Sequence, residues 1–175
     1  MAKDRQRQAR KSSPAARSTP RPLYTPEERR RRDESVWTLV QGVLAPIQFL
    51  VFLVSLGLVI RTLATGEGAA VAAASVVVKA GFLYAIMITG AIWEKQVFGQ
   101  WLFARPFFWE DVFSILVLAL HGAYVAALLL GIGSPRAQLI LALAAYASYV
   151  INAGQFLLKL RAARLQAAPL TAAPA

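Results

Sequence analysis

Four apolar stretches follow one another along the chain, and isolated polar residues interrupt each of them. Each stretch has close to the ~20 residues that a helix needs to cross the hydrocarbon core of a bilayer. Short polar links, RTLATGEG and GSPR, separate the first stretch from the second and the third from the fourth, and such links favour antiparallel neighbours. The pattern predicts an all-α polytopic membrane protein, a four-helix transmembrane bundle with spans at about residues 37–60, 69–93, 112–131 and 137–158.

The two ends of the chain differ from this apolar region. Residues 1–32 are rich in Pro, Ser and Arg, and residues 166–175 consist largely of Ala and Pro. Such segments cannot bury enough apolar surface to offset the entropy lost on folding. We therefore expect a disordered basic segment over residues 1–32, one transmembrane domain over residues 33–165 and a disordered tail over residues 166–175.

The distribution of positive charge predicts the orientation of the bundle. Eleven of the 19 Lys and Arg residues fall within residues 1–32, and others lie in the central loop and at the end of the last span. The two remaining loops hold only Arg61 and Arg136. Because loops rich in Lys and Arg stay in the cytoplasm, both termini and the central loop are expected to be cytoplasmic. Membrane topology thus explains the net charge of +10 better than nucleic-acid binding does.

Composition excludes several kinds of site. Hydrophobic residues make up 57% of the chain and charged residues 16%, whereas roughly a quarter of a soluble domain is charged. The absence of cysteine excludes disulfides and thiolate nucleophiles. The single histidine excludes a metal site built from a cluster of histidines.

The polar residues inside the spans recur at helical spacing. Positions seven apart return to nearly the same face of a helix, so Gln41, Gln48 and Ser55 form one stripe on the first span. Two further stripes lie on the third and fourth spans: Glu110, Ser114 and His121, and Ser148, Asn152 and Gln155. Since polar groups in hydrocarbon normally face a bundle interior or a wet cavity, these stripes are expected to point inwards.

Depth sorts the polar residues into two layers. The layer at the cytoplasmic ends of the helices contains Gln41, Glu94, Glu110, Asp111, Asn152 and Gln155, and the midplane layer contains Gln48, Lys79, His121 and Tyr146. We expect one pocket, lined by all four helices, that opens to the cytoplasm. Plainer interpretations stay open: hydrogen-bonding contacts between helices for the amides and serines, headgroup-level charges for the carboxylates, a snorkelling or charge-neutralising Lys79, and a buried His121 bonded to a carbonyl.

The central loop, EKQVFGQWLFARPFFWED, is unusually aromatic. Its six rings belong to Phe98, Trp101, Phe103, Phe107, Phe108 and Trp109. An aromatic belt at the membrane interface explains the Trp and part of the Phe content. The rings could also form a flat wall for a planar ligand, with Trp109 as part of the wall and Arg105 as the partner of a ligand carboxylate.

Several long stretches resemble one family. They are WTLVQGVLAPIQFLVFLVSL, LATGEG, TGAIWEK, FFWEDVFSILVLALH and YVINAGQFLLKLRAA. Together they closely resemble the 3-vinyl bacteriochlorophyllide hydratase family of bacteriochlorophyll biosynthesis, whose older name refers to the 2-vinyl group. The resemblance covers roughly Tyr24 to Leu165, which is nearly all of the chain that is expected to be ordered.

The resemblance implies a hydro-lyase in a bacterial inner membrane. Such an enzyme adds water across the C3 vinyl group of chlorophyllide a or bacteriochlorophyllide and leaves a 3-(1-hydroxyethyl) substituent. No cofactor is implied, because hydration is not a redox reaction. The implied partners are a magnesium tetrapyrrole with a propionate side chain, water and the lipid bilayer. Contact of the basic N-terminal segment with other enzymes of the pathway is left open.

Alkene hydration suggests roles for the polar residues. Protonation of the terminal vinyl carbon needs a carboxylic acid that keeps its proton near neutral pH, a state that burial and a second nearby carboxylate favour. Glu94 and Glu110 are the expected acid and base, and Asp111, turned about 100° away, is expected to face the loop and to orient one of them or a water.

The other polar residues are expected to bind the substrate. His121 is expected to provide an axial ligand to the substrate magnesium or to act as a base. The remaining candidates for substrate contact are Gln41, Gln48, Lys79, Asn152 and Gln155.

Two other classes of function use the same pattern. A non-catalytic tetrapyrrole-binding or assembly protein needs His121 and the aromatic loop, but it has no use for several carboxylates at the mouth of a pocket. A small transporter is disfavoured by the short chain and the lack of an internal repeat. The carboxylates therefore favour the enzyme.

Overall fold

The computed structural model describes residues 23–167, and this part of the chain contains five helices. They are α1 (Pro26–Glu34), α2 (Val36–Thr65), α3 (Ala69–Phe98), α4 (Phe108–Leu129) and α5 (Pro135–Ala167). Helices α2 to α5 are long and apolar enough to cross a membrane. The predicted all-α bundle of four spans is confirmed, and the side of the membrane on which the termini lie stays a prediction.

Two helical hairpins form the bundle. Helix α2 packs along α3, α4 packs along α5, and contacts of α3 with α4 and of α2 with α5 close the ring. The interior contains aromatic and aliphatic side chains from all four helices, among them Phe52, Val76, Val117, Tyr124, Tyr146 and Tyr149. The Tyr146 hydroxyl bonds Ser55 Oγ, which in turn bonds Ser75 Oγ at 2.7 Å. This chain of hydroxyl groups links α5, α2 and α3.

The predicted inward faces are largely confirmed. The polar residues buried along them are Gln48, Ser55, Ser114, His121, Ser148 and Asn152. Gln41 and Gln155, at the ends of two of these stripes, are half-buried. Helical periodicity therefore identified the correct faces, because the same faces carry the polar contacts between helices.

Several helix ends differ from those predicted from hydrophobicity. Helix α3 continues to Phe98, where Gly99 ends it in the left-handed conformation (φ 84°). Helix α4 begins four residues earlier than predicted, at Phe108, and carries Glu110 and Asp111 in its first turn, where negative charge interacts favourably with the helix dipole. Helix α5 continues past residue 158, because the charged residues there extend the helix beyond its apolar part.

Helix α1 corrects the expectation of disorder over residues 26–32. The Thr25 Oγ1 atom accepts from the N–H of Glu28 at 3.2 Å, and the Glu28 carboxylate accepts from the N–H of Thr25 at 2.7 Å. Thr25 is therefore the N-cap of a helix whose first residue is Pro26, a residue type suited to that position. The rest of the two segments expected to be disordered lies mostly outside the described residues, namely residues 1–22 and 168–175. Residues 166–167 belong to the expected C-terminal tail but continue α5.

Tyr24 attaches this N-terminal region to the bundle. Its ring is buried, stacks 5.8 Å from Phe98, and lies 4.8 Å from the Arg32 guanidinium. Burial raises the pKa of the Tyr24 hydroxyl, and the charge of Arg32 opposes this shift. The contacts hold α1 against the end of α3.

Candidate functional site

The loop that joins α3 to α4, residues 99–107, is held by two acidic side chains. The N–H of Phe103 donates to Asp111 Oδ2 at 2.7 Å, and the N–H of Ala104 donates to Glu94 Oε2 at 3.0 Å. Phe103 has a φ of 61°, in the left-handed region that residues other than glycine rarely adopt. Such a conformation can direct successive N–H groups at one acidic site. The shape of the loop therefore depends on both carboxyl groups.

Glu94 and Asp111 also contact each other. They are 5% and 3% exposed, and their carboxyl groups lie within hydrogen-bonding range of one another. Two carboxyl groups form a hydrogen bond only when one of them carries a proton, because a carboxylate has acceptors and no donor. The Glu94–Asp111 pair can therefore hold one proton between its oxygen atoms at a site that is largely closed to water.

Glu110 has a different partner. Its Oε2 atom lies 2.6 Å from Lys159 Nζ on α5, and the same Nζ donates to the backbone oxygen of Pro106. Glu110, one of the two residues expected to act as acid and base, thus has a partner of opposite charge. Asp111 meets Glu94 instead, because the rotation of about 100° per residue turns it towards the loop, as predicted.

Lys159 is the residue of this site that the sequence analysis missed. Besides its contacts with Glu110 and Pro106, its Nζ lies 5.3 Å from the ring centre of Phe107. Asn152 and Gln155 precede it by seven and four residues, so the three share one face of α5. This shared face is the sequence signal for a role of Lys159 in the site, but it is a weak signal because charges near the end of a span usually lie in the headgroup region.

The six aromatic residues of the loop region divide into two groups. Phe98 and Phe107 pack in a buried cluster with Tyr24, Trp93 and Phe156. The exposed group consists of Trp101, Phe103, Phe108 and Trp109. The loop thus contributes partly to the packing of the domain and partly to its surface.

Three of the exposed rings form a surface beside the carboxyl pair, called here the aromatic surface: Phe103, Phe108 and Trp109. The ring centres of Phe103 and Phe108 are 5.7 Å apart, and those of Phe108 and Trp109 are 5.4 Å apart. Phe103 is also the residue whose N–H bonds Asp111. Arg105 is exposed on the same loop. A planar apolar molecule on the aromatic surface would therefore lie near both a proton-holding pair and an exposed cation.

The amides of the predicted cytoplasmic layer join helices. Gln41 Nε2 donates to Thr89 Oγ1 at 2.7 Å and connects α2 with α3. Asn152 Nδ2 donates to Ser114 Oγ at 2.8 Å and connects α5 with α4. Gln155 is half-buried on the Lys159 face. For Gln41 and Asn152, the contacts match the alternative of hydrogen bonds between helices.

The residues of the predicted midplane layer are buried together in the bundle interior. Lys79 and His121 are 0% exposed, and Gln48 and Tyr146 are buried as well. Lys79 Nζ lies 3.8 Å above the Tyr149 ring. The His121 and Tyr146 ring centres are 5.7 Å apart.

The two layers are well separated. His121 follows Asp111 by ten residues and Lys79 precedes Glu94 by fifteen, which correspond to about 15 Å and about 22 Å of helical rise. A groove of about 450 Å³ lies between α3 and α4 and is lined by residues such as Val77, Gly81, Tyr84, Gly122 and Ala126. These lining residues differ from those expected to line one pocket opening at the cytoplasmic end. A planar pigment at the aromatic surface would not reach His121 without separation of the helices.

Comparison with known proteins gives one consistent result. The model of the family described as 2-vinyl bacteriochlorophyllide hydratase matches residues 24–162. A protein named 2-vinyl bacteriochlorophyllide hydratase from Cereibacter sphaeroides is 65% identical over 155 residues, which cover 88% of this chain and 94% of the relative. A protein of the same name from Rhodobacter capsulatus is 65% identical over 146 residues, which cover 83% of this chain and 85% of that relative. No solved structure matches.

Proposed function

The chain belongs to the 2-vinyl bacteriochlorophyllide hydratase family and is a membrane hydratase of bacteriochlorophyll biosynthesis, and we propose that its Glu94–Asp111 pair carries out the proton transfers of hydration. The substrate is a tetrapyrrole, and the second substrate is water. The reacting group is the vinyl substituent at C3, numbered 2 in the older nomenclature. The observation that carries the proposal is the contact between two buried carboxyl groups beside an exposed aromatic surface.

The first step is protonation of the vinyl group. The proton shared by Glu94 and Asp111 moves to the terminal vinyl carbon, and the electron pair of the double bond forms the new C–H bond. The inner carbon becomes a cation whose charge spreads into the conjugated macrocycle. The carboxyl pair, having lost its proton, is negatively charged at that moment and stabilises the cation electrostatically.

The second step is addition of water. A water oxygen bonds to the cationic inner carbon, and one of its protons moves to the carboxylate pair. The pair thereby regains the proton that it gave up, and the product carries a 1-hydroxyethyl group. One pair of side chains acts first as general acid and then as general base, a mode of catalysis that typically contributes ~10²–10⁴-fold.

The aromatic surface supplies the binding site for the flat substrate in this proposal. The planes of Phe103 and Phe108 are tilted by 51° and those of Phe108 and Trp109 by 87°, so the flat substrate would stack on one ring and meet its neighbours at an angle. Stacking on Phe103 would place the macrocycle edge beside Asp111, because the Phe103 N–H bonds that carboxyl group. Arg105, exposed on the same loop, is suited to bind the carboxylate of the substrate. The substrate would then enter from the interface and not from the bundle interior.

Glu110 and Lys159 act as positioning residues. Their ion pair ties α5 to the first turn of α4, and Lys159 also binds the loop through the oxygen of Pro106. Asp111 lies next to Glu110 in sequence and interacts electrostatically with both of these residues. The ion pair therefore fixes the position from which Asp111 acts.

We place the protein in the inner membrane of a photosynthetic bacterium, with both termini and the loop 99–107 on the cytoplasmic side. The asymmetric distribution of Lys and Arg supports this orientation. In that orientation the carboxyl pair lies at the cytoplasmic end of the bundle, next to the loop 99–107 that borders the cytoplasm.

The test uses membranes that contain the intact chain and the vinyl pigment, with isotope labels in the solvent. In oxygen-18 water the product should gain one labelled oxygen, together with a blue-shifted absorption band. In deuterated water, deuterium should enter the terminal carbon of the new substituent. No hydrated product would overturn the assigned reaction, whereas a hydrated product without deuterium at that carbon would overturn only the acid step.

A further inference from the structure

Helix α4, which carries Asp111, begins after a residue that cannot cap it with its side chain. The N-cap is Phe107, whose side chain has no oxygen to accept from the first turn, whereas Ser, Thr, Asp and Asn are the usual residues at this position. The Phe107 ring is instead 3% exposed. The start of α4 is therefore positioned by the packing of an aromatic ring and not by a polar cap.

The backbone of Phe107 connects the supports of both carboxyl groups. Its N–H donates to the oxygen of Ala104 at 2.7 Å, and the N–H of Ala104 donates to Glu94 Oε2 at 3.0 Å. The oxygen of Phe107 accepts from the N–H of Asp111 at 3.0 Å. A displacement of Phe107 would therefore change the position of Asp111 relative to the loop N–H that holds Glu94.

Aromatic rings from three parts of the chain enclose the Phe107 ring. The ring centre of Trp93 on α3 lies 5.6 Å from it in an edge-to-face arrangement, and that of Phe156 on α5 lies 6.1 Å away. The ring centre of Tyr24, which precedes α1, lies 6.4 Å away. All three distances are within the range of favourable aromatic pairs. The position of Phe107 thus depends on α3, on α5 and on the N-terminal region.

Tyr24 is itself held firmly at this end of the bundle. Its ring is 6% exposed and stacks on Phe98 with the two planes 11° apart, and the Arg32 guanidinium lies over it. The backbone oxygen of Arg32 accepts from Thr38 Oγ1 at 2.6 Å, and Thr38 Oγ1 accepts from Trp93 Nε1 at 2.9 Å. These contacts fix Tyr24 relative to α2 and α3.

We propose that Tyr24 is a positioning residue of the hydratase: its ring holds Phe107, and through Phe107 it determines how Glu94 and Asp111 face each other. This inference rests on the proposed roles of the two carboxyl groups. A general acid or base acts over hydrogen-bond distances of about 2.6–3.2 Å, and a misplacement of about 1 Å can lower a rate ~10²-fold. The N-terminal region is thus part of the scaffold of the catalytic site.

The test uses variants of the full chain in membranes, with kcat normalised to the amount of folded protein. Tyr24→Leu and Tyr24→Met each retain a buried apolar side chain but lose the ring, whereas Tyr24→Phe retains it. We expect Leu and Met to lower kcat by ~10–100-fold and Phe to keep kcat close to that of the wild type. KM should change little, because Tyr24 belongs to the buried aromatic cluster and not to the aromatic surface. Less folded protein with an unchanged kcat would overturn the proposal.

Gln96→Ala is the matched control. The exposed Gln96 accepts from Ser35 Oγ at 2.6 Å through its Oε1 atom, so it also attaches the N-terminal region to α3. It is not a member of the aromatic cluster that encloses Phe107, and we expect its replacement to leave kcat unchanged. Equal losses of kcat in Gln96→Ala and Tyr24→Leu would show that any loosening of the N-terminal region slows the reaction, which would overturn a specific role of Tyr24.

Asp111→Asn separates this inference from the mechanism on which it rests. If Asp111→Asn loses most of its turnover while Tyr24→Leu keeps full turnover, only the positioning role is wrong. If Asp111→Asn keeps full turnover, the mechanism of the carboxyl pair is wrong, and the route proposed for Tyr24 fails with it. Residues that act through one another give non-additive effects, so Tyr24→Leu should lower turnover less in the Asp111→Asn background than in the wild type. An equal factor in both backgrounds would overturn the route through Asp111.

Discussion

The backbone N–H of Phe103 donates to Oδ2 of Asp111 at 2.7 Å, which joins the aromatic surface directly to the carboxyl pair. Phe103 adopts φ 61° in this position, so the loop geometry and the position of the acid depend on each other. A substrate that stacks on the ring of Phe103 would lie close to the group that is proposed to protonate it.

Replacing either member of the carboxyl pair should abolish most of the hydration rate. Asp111→Asn and Glu94→Gln each retain side-chain size, but the shared proton can no longer be delivered and recovered. We expect losses of ~10²–10⁴-fold in turnover at saturating pigment, measured by product formation in membranes. Glu67→Gln, at an exposed carboxylate in the link before α3, is the matched control. Turnover near that of the control in both variants would contradict the proposed mechanism.

Glu110→Gln should reduce turnover less than Asp111→Asn does. This expectation reverses the order that follows from the sequence alone, because Glu110 binds Lys159 while Asp111 meets Glu94. If Glu110 is instead the base, its replacement will lower turnover by at least the ~100-fold typical of a lost general base. In that case the catalytic role belongs to Glu110 and the positioning role to Asp111. The comparison needs turnover numbers for both variants at equal membrane levels.

The Glu110–Lys159 ion pair should contribute measurably to the thermal stability of the protein. Lys159→Met leaves the buried carboxylate of Glu110, 8% exposed, without its ion-pair partner, and removal of one member of a buried pair is destabilising. The double variant Glu110→Gln/Lys159→Met should therefore unfold at a higher temperature in detergent than Lys159→Met alone. Additive losses from the two single changes would show that the pair contributes nothing by its contact.

Trp109→Ala should weaken substrate binding more than it slows the reaction. Trp109 is 67% exposed at the end of the aromatic surface, and an aromatic pair contributes about 0.5–1.5 kcal/mol beyond its buried area, or up to roughly tenfold in KM. Phe49→Ala, at an exposed ring on α2, controls for general loss of apolar surface. Equal changes in KM for the two variants would argue against binding at this surface.

The hydroxyl chain in the bundle predicts an order of stabilities. Ser55→Ala removes the central member and leaves the buried Tyr146 hydroxyl unpaired, whereas Tyr146→Phe leaves Ser55 still bonded to Ser75. An unsatisfied buried polar group costs about 1–3 kcal/mol and an ordinary hydrogen bond about 1 kcal/mol. Thermal unfolding in detergent should therefore rank Ser55→Ala below Tyr146→Phe, and the reverse order would show that packing dominates at this position.

Topology can be tested with reporters at two positions. A reporter fused after Leu165 should be cytoplasmic, and one inserted between Gly66 and Gly68 should be periplasmic. The reason is that most Lys and Arg residues lie at the end of the bundle that carries both termini and the central loop. A periplasmic signal after Leu165 would invert the orientation and place the carboxyl pair on the opposite side of the membrane.

The number of spans and the faces that point inwards can be predicted from the amino-acid pattern alone. Four apolar stretches of spanning length can be read without tertiary information, because each must satisfy the bilayer separately. The burial of Ser114 and His121 followed from their spacing of seven residues, since helical geometry fixes which positions share a face. The same reasoning predicted that Asp111 would face the loop.

The pairing of Glu94 with Asp111, and of Glu110 with Lys159, depends on how the helices and the loop pack together. The partner of Glu94 depends on the conformation of residues 99–107, and no periodicity governs a loop whose turn at Phe103 uses a φ that glycine usually provides. The contact of Lys159 with Glu110 depends on how α5 is placed beside α4, because the two residues are 49 positions apart in the sequence. Hydrophobic burial determines which face of a helix is buried, but it does not distinguish one charged residue at a helix end from its neighbour. The position of the acidic cluster could therefore be predicted from the sequence, whereas its ion pairs and hydrogen bonds could not.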